Sequence, residues 1–465
     1  MDKKSDKILE DPDLFFEMEK KYDLFSLRTA NGIPLWDIFR SEVWNFIIYK
    51  EDIKGKPSRQ VSKLKAVYSV VEKCFDAFRL ISSKDYFFFG VSRFVNKDEK
   101  FYDPYLETIK PIISKKILLY ESITDKKNYL EKGISDITPY VQKIFKPLYR
   151  LTALKDLDEV NLECIQRALF ETYGYEVVSD GTLENIFYKF KIHYHFYNLV
   201  FSVNRFKAVF LHQNGFQKGL IYAAQKSKIP VYEFQHADVI EFNVVWHYGT
   251  YPNNLKDIIF PDVFLTYSDF WSDENQIPAK CIEIGSAIHN IEQVEVTSDN
   301  IAIISTKEHE EELNKLTIDL AVLYPNVTFQ YKLHPAQYQS INEYNYLFSN
   351  YSNIEVVPVD KSVKDLIANT QSFIVIYSSV IFELLQAKKQ VYIYQKQNFW
   401  FFRKFFHFSN VTVFDKAENF NTRKVDSDES MAEESAYNFY KPIMLQRVEE
   451  LLLIANNSKN GRQAI

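Results

Sequence analysis

A chain of 465 residues is long enough for two domains of about 200 residues each. Its formal net charge of −6 argues against a nucleic-acid partner, because such a partner requires a broad basic face. The three cysteines, Cys74, Cys164 and Cys281, lie far apart and lack paired C-x-x-C spacing, which argues against a disulfide framework and a zinc site. We therefore expect two α/β domains, no nucleic-acid partner and no bound metal.

The N-terminal sequence MDKKSDKILEDPD is charged and lacks the apolar stretch of a signal peptide. No apolar run reaches the roughly 18 residues of a membrane span. These features predict a cytoplasmic protein. The segment 398–408 mixes aromatic side chains with Arg403 and Lys404, which is typical of a buried helix with two snorkelling cations. The alternative is a peripheral contact with the inner face of the cytoplasmic membrane.

The first half of the chain is predicted to begin with a helical layer and to continue as a parallel sheet. Apolar residues recur at helical spacing over much of 11–80. Short apolar runs at 85–90 and 117–120 predict the first strands. The stretch 208–236 is typical of strand, helix and strand, with polar residues after both strands. Alternation of strands and helices predicts a parallel sheet, whose carboxyl edge is where open α/β sheets bind ligands.

The second half repeats this alternation after a polar segment, 287–299, that we interpret as an interdomain linker. The predicted strands lie at 301–304, 327–331, 354–357, 372–376 and 391–394, and the predicted helices at 308–323, 363–368, 380–387 and 437–456. The sequence therefore predicts two Rossmann-like domains, over 1–290 and 291–465, that face a central cleft.

A short polar turn directly follows the predicted strand 327–331. It consists of Lys332, Leu333, His334 and Pro335. A cationic lysine and a titratable histidine at the carboxyl end of a parallel strand suit a phosphate group, and the proline stiffens the turn. The alternative is that His334 only caps the strand by hydrogen bonding. We favour phosphate binding because a second element points to the same edge.

That second element is a pair of serines, Ser378 and Ser379, between the strand 372–376 and the helix 380–387. Hydroxyls at a helix N-terminus, beside unpaired N–H groups and the positive end of the helix dipole, make an anion site. Either serine also suits an N-cap, and the two roles are compatible. Glu383 lies one helical turn further along the same face, where it is a candidate to accept hydrogen bonds from a ribose.

Polar side chains also follow the predicted strand 230–234. They are Gln235, His236, Asp238, Glu241 and His247. A base that works near neutral pH is most easily a histidine or a carboxylate with a raised pKa, and this loop contains both. His212, at the end of the preceding strand, is expected to lie alongside. The alternative is a surface loop that happens to be polar.

Two weaker signals follow other predicted strands. Thr306 follows the strand 301–304 and is a candidate phosphate contact, although a solvated turn explains it equally well. Ser92, Arg93 and Asp103 follow the strand 85–90 and are candidates for the opposite side of the cleft, although a structural role is slightly favoured.

With these residues in hand, the second half of the chain resembles the group of CDP-glycerol glycerophosphotransferases and capsule polymerases. These are GT-B enzymes related to bacterial sialyl- and Kdo-transferases. The resemblance is carried by KLHP at 332–335 and YSSVIFELL at 377–385. The first half is similar to the same group in IPVYEFQHADV at 229–239, PDVFLTYSDFW at 261–271 and IEIGSA at 282–287.

The resemblance implies a GT-B-like α/β fold in which the domain 1–290 faces an acceptor and the domain 291–465 binds a nucleotide donor. In the family, the His-Pro and Ser-Ser motifs hold the donor phosphate. The implied donor ligands are therefore His334, Ser378 and Ser379, with Lys332 and Pro335 beside them.

The implied activity is that of a glycosyltransferase. It would move a sugar or polyol phosphate from a CMP- or CDP-linked donor to a bacterial surface glycan or lipid-linked glycan, as in capsule polysaccharide or lipopolysaccharide biosynthesis. No cofactor besides this co-substrate is expected, because His334, Lys332 and a helix dipole can meet the charge of the leaving group. His236 is the expected base, or failing it Asp238 or Glu241.

Two other functions fit the same residues. One is a nucleotide-sugar epimerase on the same fold. The other is a catalytically silent partner in glycan assembly, which is favoured by Ala237, because the family usually has glycine after its Gln-His pair.

Overall fold

The computed structural model describes residues 12–49, 78–81, 83–92, 94–95, 98–113, 116–121, 128–131, 133–152, 157, 159–240, 243–249, 258–272, 276–289, 291, 296, 299–307, 309–376, 378–395, 402, 405–421 and 438–457. Arg93, Glu241, Arg403, Lys404 and part of the predicted linker lie outside these residues. Within these ranges, none of the helices has the length and apolarity needed to cross a membrane.

The chain folds as two compact units. The first contains residues 1–288 and 442–465, and the second contains residues 289–441. The structure thus places the C-terminal segment with the first unit, although the sequence predicted a second domain that continues to residue 465. The physical reason is local pairing: the N–H of Met444 donates to the carbonyl of Ile284 at 2.7 Å, and Pro442 pairs with Ser286.

The first unit is built on a sheet of parallel strands covered by helices. Its strands are β1 (Tyr86–Gly90), β2 (Phe94–Val95), β3 (Phe101–Tyr102), β4 (Ile117–Glu121), β5 (Ile134–Ser135), β6 (Ala208–Leu211), β7 (Val231–Phe234), β8 (Val263–Thr266) and β9 (Lys280–Glu283). Its helices within residues 1–288 are α1 (Pro12–Lys21), α2 (Leu35–Tyr49), α3 (Pro104–Ile113), α4 (Thr138–Thr152), α5 (Glu159–Tyr173), α6 (Asp180–Val203) and α7 (Lys218–Lys226). The sheet order is β5-β4-β1-β6-β7-β8-β9, and β2 and β3 form a separate antiparallel pair.

The predicted N-terminal helical layer is confirmed in α1 and α2. A buried ion pair joins them: Nε of Arg40 lies 2.5 Å from Oε1 of Glu19, which also accepts from Nε1 of Trp36 at 2.7 Å. Arg40 further donates to the carbonyl oxygens of Val244 and His247, the latter at 2.8 Å. The layer therefore holds the loop that follows β7.

The second unit is a smaller parallel sheet with helices between its strands. Its strands are β10 (Ile301–Ile304), β11 (Phe329–Lys332), β12 (Ile354–Val356), β13 (Ser372–Val375), β14 (Gln390–Tyr394) and β15 (Val411–Phe414). Its helices are α8 (Glu310–Leu323), α9 (Ile341–Leu347), α10 (Val363–Asn369) and α11 (Val380–Gln386). The order is β12-β11-β10-β13-β14-β15. The last helix of the chain, α12 (Leu445–Asn457), belongs to the first unit and packs against α3.

Both sheets are Rossmann-like, as predicted, and each has a point where the strand order reverses. In the first unit the chain runs from β1 to β4 on one side and later returns to β6 on the other side of β1. In the second unit it runs from β10 to β11 and β12, and then to β13 on the other side of β10. Open α/β sheets bind ligands at the carboxyl ends of strands flanking such a point.

Gly285→Ala is expected to destabilise the pairing of the C-terminal segment with the rest of the first unit. Gly285 has φ +83°, and an added Cβ would lie 2.1 Å from the carbonyl oxygen of Pro442. Backbone strain and the clash together should lower the free energy of unfolding by roughly 2–4 kcal/mol. Gly32 is the control: it has φ +74° but open space around its Cβ position, so Gly32→Ala should cost only about 1 kcal/mol. Equal losses in urea unfolding would contradict the close approach.

Candidate functional site

The first candidate edge lies at the carboxyl ends of β4, β1 and β6, which are neighbours in the sheet. Ser92 follows β1, Glu121 ends β4, and His212 follows β6. β1 is the strand at which the order reverses. The structure therefore brings the predicted residues Ser92 and His212 to one edge of the sheet, together with Glu121, which was not predicted from the sequence.

His212 and Asp103 form a buried pair at this edge, with 2.6 Å between Nε2 and Oδ2. The carboxylate also accepts hydrogen bonds from the backbone N–H groups of Val91, Tyr105 and Leu106. Burial alone would raise the pKa of Asp103, but His212 and these donors outweigh it and lower the pKa. Nδ1 of His212 is buried and has no hydrogen-bond partner among the described residues. The pair thus offers one free ring nitrogen.

Glu121 is the carboxyl group beside this pair. The Ser92 hydroxyl donates to its Oε1. Its Oε2 is buried without a hydrogen-bond partner in the described part of the chain. Burial raises the pKa of Glu121 to about 7, with the Ser92 hydrogen bond opposing the rise and the charge of Asp103 adding to it. Glu121 therefore exchanges a proton near neutral pH, as acid–base catalysis requires.

Gln235 and His236 follow β7, next to the His212 edge. Oε1 of Gln235 accepts from the N–H of Tyr267 at 2.9 Å, and Nε2 donates to the carbonyl of Ala237 at 3.0 Å. Gln235 therefore shapes the loop rather than facing a ligand with free polar atoms. The ring of His236 lies 6.3 Å from that of His212 between ring centroids, so the two histidines share this edge.

The backbone carbonyls of Asp238 and His247 accept hydrogen bonds that help to shape the loop after β7. The carbonyl of Asp238 accepts from Nδ2 of Asn243 at 3.2 Å. His247 is 2% exposed, and its carbonyl accepts from Arg40 in the helical layer. His247 thus lies on the side of the loop that faces α2.

Glu233 is a second carboxyl with a raised pKa and lies beneath the same edge, in β7. It accepts from Nδ2 of Asn214 at 2.9 Å and from Nε1 of Trp246 at 3.0 Å. Burial raises the pKa of Glu233 to about 8, and these hydrogen bonds oppose the rise. The ring of His236 lies 5.5 Å from Trp246, so Glu233 supports the loop that holds His236.

In the second unit, the turn after β11 has the cap that the sequence analysis weighed as an alternative. His334 is exposed and caps the 3₁₀ helix Pro335–Ser340, because its Nδ1 accepts from the N–H of Ala336 at 3.2 Å. The proton of the neutral ring therefore lies on Nε2, which remains a donor. Lys332 is 2% exposed, and its Nζ donates to the hydroxyl of Tyr338 at 3.1 Å.

The two serines lie at the reversal point of the second sheet, after β13. Oγ of Ser378 accepts from the N–H of Val380 at 3.4 Å, and Ser379 makes no side-chain capping bond. Burial raises the pKa of Glu383, and the charge of Lys364 opposes the rise. Ser378 thus provides a weak N-cap hydrogen bond, and Ser379 provides none.

Thr306 lies on the other side of this reversal point, after β10. It is 4% exposed, and its Oγ1 has no hydrogen-bond partner among the residues that the structure describes. Because β10 pairs with both β11 and β13, the structure brings Thr306 to the same edge as Lys332 and Ser378.

Two further expectations from the sequence are that the protein binds no metal ion and that its two domains face a central cleft. Among the described residues, no group of three or more His, Cys, Asp or Glu side chains could hold a metal ion. The central cleft expected between the two Rossmann-like domains involves both units and stays a prediction.

No protein-family description and no curated protein sequence matches the chain. Solved structures are similar to it over most of its length. UDP-GlcNAc 2-epimerase from Methanocaldococcus jannaschii is 10% identical, with 80% of this chain and 99% of that chain covered and a TM-score of 0.38. MurG from Acinetobacter baumannii is 11% identical, with coverages of 72% and 87% and a TM-score of 0.39. UDP-GlcNAc 2-epimerase from Neisseria meningitidis, bound to UDP-GlcNAc, is 11% identical, with coverages of 72% and 88% and a TM-score of 0.38. The α/β class predicted from the sequence is shown by the two parallel sheets themselves.

Proposed function

We propose that the chain is an enzyme that acts on a nucleotide-activated sugar. The observation that carries this proposal is Glu121, with a pKa of about 7, beside the His212–Asp103 pair at the reversal point of the first sheet. A titratable carboxyl at the ligand edge of a Rossmann-like sheet favours proton transfer during catalysis. Lys332 and the serine pair then favour phosphate binding at the corresponding edge of the second unit.

The reaction that we favour is transfer of the sugar, or of a polyol phosphate, to a hydroxyl group. In sugar transfer, the acceptor oxygen bonds to the anomeric carbon while the bond from that carbon to the phosphate oxygen breaks. The electron pair leaves on the phosphate, whose charge Lys332 offsets and to which Nε2–H of His334 can donate. The acceptor proton passes to Glu121 through the hydroxyl of Ser92, which is half-buried and already donates to this carboxyl.

A second candidate reaction is epimerisation of the sugar while it is attached to the nucleotide. One observation favours it: Glu121 and the His212–Asp103 pair are two separate proton-transfer groups on one edge. Inverting a carbon by removing and returning a proton on opposite faces requires two such groups.

The remaining features of the proposal rest on the family resemblance. They are a CMP- or CDP-linked donor, a bacterial glycan or lipid-linked glycan as acceptor, and a cytoplasmic site at the inner face of the membrane. The first domain then serves the acceptor and the second the donor.

Proton NMR of the purified chain with CMP-, CDP- and UDP-linked sugars in D2O separates these functions. A transferase releases nucleotide only when an acceptor glycan is added. An epimerase converts the donor without acceptor and incorporates deuterium at the inverted carbon. A chain that does neither with any of these donors is not an enzyme of this class, and the silent-partner function would replace the proposal.

The donor assignment predicts that Ser378→Ala combined with Ser379→Ala weakens nucleotide binding. Loss of two hydrogen bonds to a phosphate should cost roughly 2–4 kcal/mol of binding free energy. Ser349 and Ser352, which precede β12 and so lie toward its amino end, provide a matched double-alanine control with unchanged affinity. Calorimetric titration with CDP and UDP is the measurement. If both double variants bind CDP and UDP with equal affinity, Ser378 and Ser379 do not contact the phosphate.

A further inference from the structure

A cleft of about 500 Å³ lies between α8 and α9 in the second unit. Its volume is typical of small-molecule sites. Glu310 and Asn314 line it from α8, and Glu343 and Tyr346 line it from α9. None of the described side chains that line it is a lysine, an arginine or a histidine. The cleft therefore offers hydrogen-bonding groups without the positive charge that suits a phosphate.

The amide group of Asn314 is fixed in one orientation by a buried tyrosine. The hydroxyl of Tyr331, which is fully buried in β11, donates to Oδ1 of Asn314 at 2.7 Å. Burial raises the pKa of Tyr331 to about 12, so this hydroxyl keeps its proton at neutral pH. Because Oδ1 is the acceptor end of the amide, Nδ2 remains as a donor. Asn314 therefore offers N–H groups to a ligand in the cleft.

A second buried tyrosine holds Glu310 in the same way. Tyr344 is 3% exposed, and its hydroxyl accepts from Nε2 of Gln337 at 2.7 Å. The same hydroxyl donates to the carboxylate of Glu310, and burial together with this hydrogen bond raises the pKa of Tyr344. Glu310 and Asn314 lie four residues apart in α8, so they share one face of the helix. This face thus presents a fixed acceptor beside a fixed donor.

Tyr346 adds an aromatic ring to the wall of the cleft that α9 forms. It is 82% exposed, more than any other large apolar or aromatic side chain in the described part of the chain. The face of an aromatic ring carries partial negative charge and attracts the C–H groups of a sugar ring. An aromatic face beside hydrogen-bonding groups suits a ligand that is apolar on one side and hydroxylated on its edges.

We propose that this cleft binds a neutral sugar unit of a glycan, whose ring stacks on Tyr346 and whose hydroxyl groups bind Glu310 and Nδ2 of Asn314. A hydroxyl both donates and accepts, so a sugar satisfies the acceptor and the donor together. An ammonium group has only donors and would leave Nδ2 of Asn314 facing another donor. This inference goes beyond the proposed function, because it requires neither a nucleotide nor turnover.

Asn314→Asp distinguishes a sugar from an amine by the sign of its effect. The change keeps the shape of the side chain and the acceptor for Tyr331, but it replaces the N–H donor with a carboxylate oxygen. Sugar binding should weaken by about tenfold, because a hydrogen bond is lost and the sugar oxygen then faces two carboxylates. Binding of an amine should instead become tighter, because a further negative charge joins Glu310 and Glu343.

Tyr346→Ala tests the aromatic wall without disturbing the fold. Because the ring is exposed, the melting temperature should not change, whereas sugar binding should weaken by about fivefold through loss of stacking. Phe170→Ala is the matched control: Phe170 is 59% exposed in α5 of the first unit, and its removal should leave sugar binding unchanged. This variant keeps the test decisive even where Asn314→Asp lowers stability.

Saturation-transfer difference NMR titrations of the purified chain test the cleft, with methyl glycosides of glucose, galactose, mannose and N-acetylglucosamine and with spermidine as the amine. Binding of at least one glycoside that weakens in Asn314→Asp and Tyr346→Ala, but not in Phe170→Ala, supports the proposal. If no glycoside binds, if both cleft variants bind as well as wild type, or if only spermidine binds, the sugar assignment is wrong. Calorimetry with CDP and UDP should give wild-type affinities for both cleft variants, so failure of this cleft leaves the proposed function standing.

Discussion

Glu121→Gln is expected to lower turnover of the nucleotide sugar by a hundredfold or more while leaving nucleotide affinity unchanged. Removal of a general base commonly costs about 10²–10⁴ in rate. Glutamine keeps the shape of the side chain and can still accept from Ser92, but it cannot take a proton. Glu283, which ends β9 in the same sheet, provides the control: Glu283→Gln should retain full activity. Turnover rates beside calorimetric dissociation constants separate chemistry from binding.

The pH dependence of the wild type provides a second readout of Glu121. A base must be deprotonated, so turnover should rise with pH through about 7, the pKa of this carboxyl. Its folded pKa lies above the unfolded value, so its stabilising contribution is present at low pH and is lost as pH rises through about 7. Glu121→Gln should therefore be at least as stable as wild type at pH 8.

If Glu121→Gln is as stable as wild type at pH 8, unfolding cannot be the cause of its lost activity. A fully active Glu121→Gln enzyme would show that Glu121 is not the general base. His236→Ala is the variant to compare, because His236 was the base expected from the sequence and its ring lies beside His212. A hundredfold loss in His236→Ala, with none in Glu121→Gln, would assign the base to the loop after β7.

Arg40→Met should destabilise the first unit by about 3–5 kcal/mol, the usual cost of removing one partner of a buried ion pair. The change leaves Glu19, which is 1% exposed, without its cation. It also leaves the carbonyls of Val244 and His247 without their donor. Urea unfolding measures the loss. Lys189→Met, which removes a partly exposed partner of Glu42, is the control and should cost less than about 1 kcal/mol.

The loss in Arg40→Met should shrink as pH falls. Burial already raises the pKa of Glu19 although Arg40 opposes the rise, and without Arg40 the pKa goes higher. A carboxyl with a raised folded pKa stabilises below its unfolded pKa and loses that contribution as pH rises through the folded value. Combining Glu19→Gln with Arg40→Met removes both charges and should recover most of the stability. A loss that is the same at pH 5 and pH 8 would contradict the buried-charge explanation.

The strands of both sheets could be predicted because parallel strands are buried on both faces and appear as short apolar runs. The runs at 85–90, 208–211 and 301–304 each became a strand within about a residue of the predicted bounds. The sequence also placed Ser92, His212, Thr306 and Ser378 at the carboxyl edges of the two sheets, since each follows the end of a strand.

The rest depends on contacts between distant parts of the chain. Glu121 is the last residue of an apolar strand, and its raised pKa comes from burial and from the charge of Asp103, which no local pattern shows. The partnership of Arg40 with the loop at 244–247 spans about 200 residues of sequence. Helical periodicity predicted α12 but could not assign it to the first unit, because that assignment depends on pairing near Gly285.

Thermal melting of the wild-type chain with CMP, CDP, UDP and GDP tests the central claim most directly, because a ligand that binds only the folded state must raise the melting temperature. The account predicts that at least one pyrimidine nucleotide raises it, and that the Ser378 and Ser379 double variant reduces the shift. If no nucleotide changes the melting temperature at millimolar concentration, the chain does not bind a nucleotide-activated donor and the proposed function is wrong.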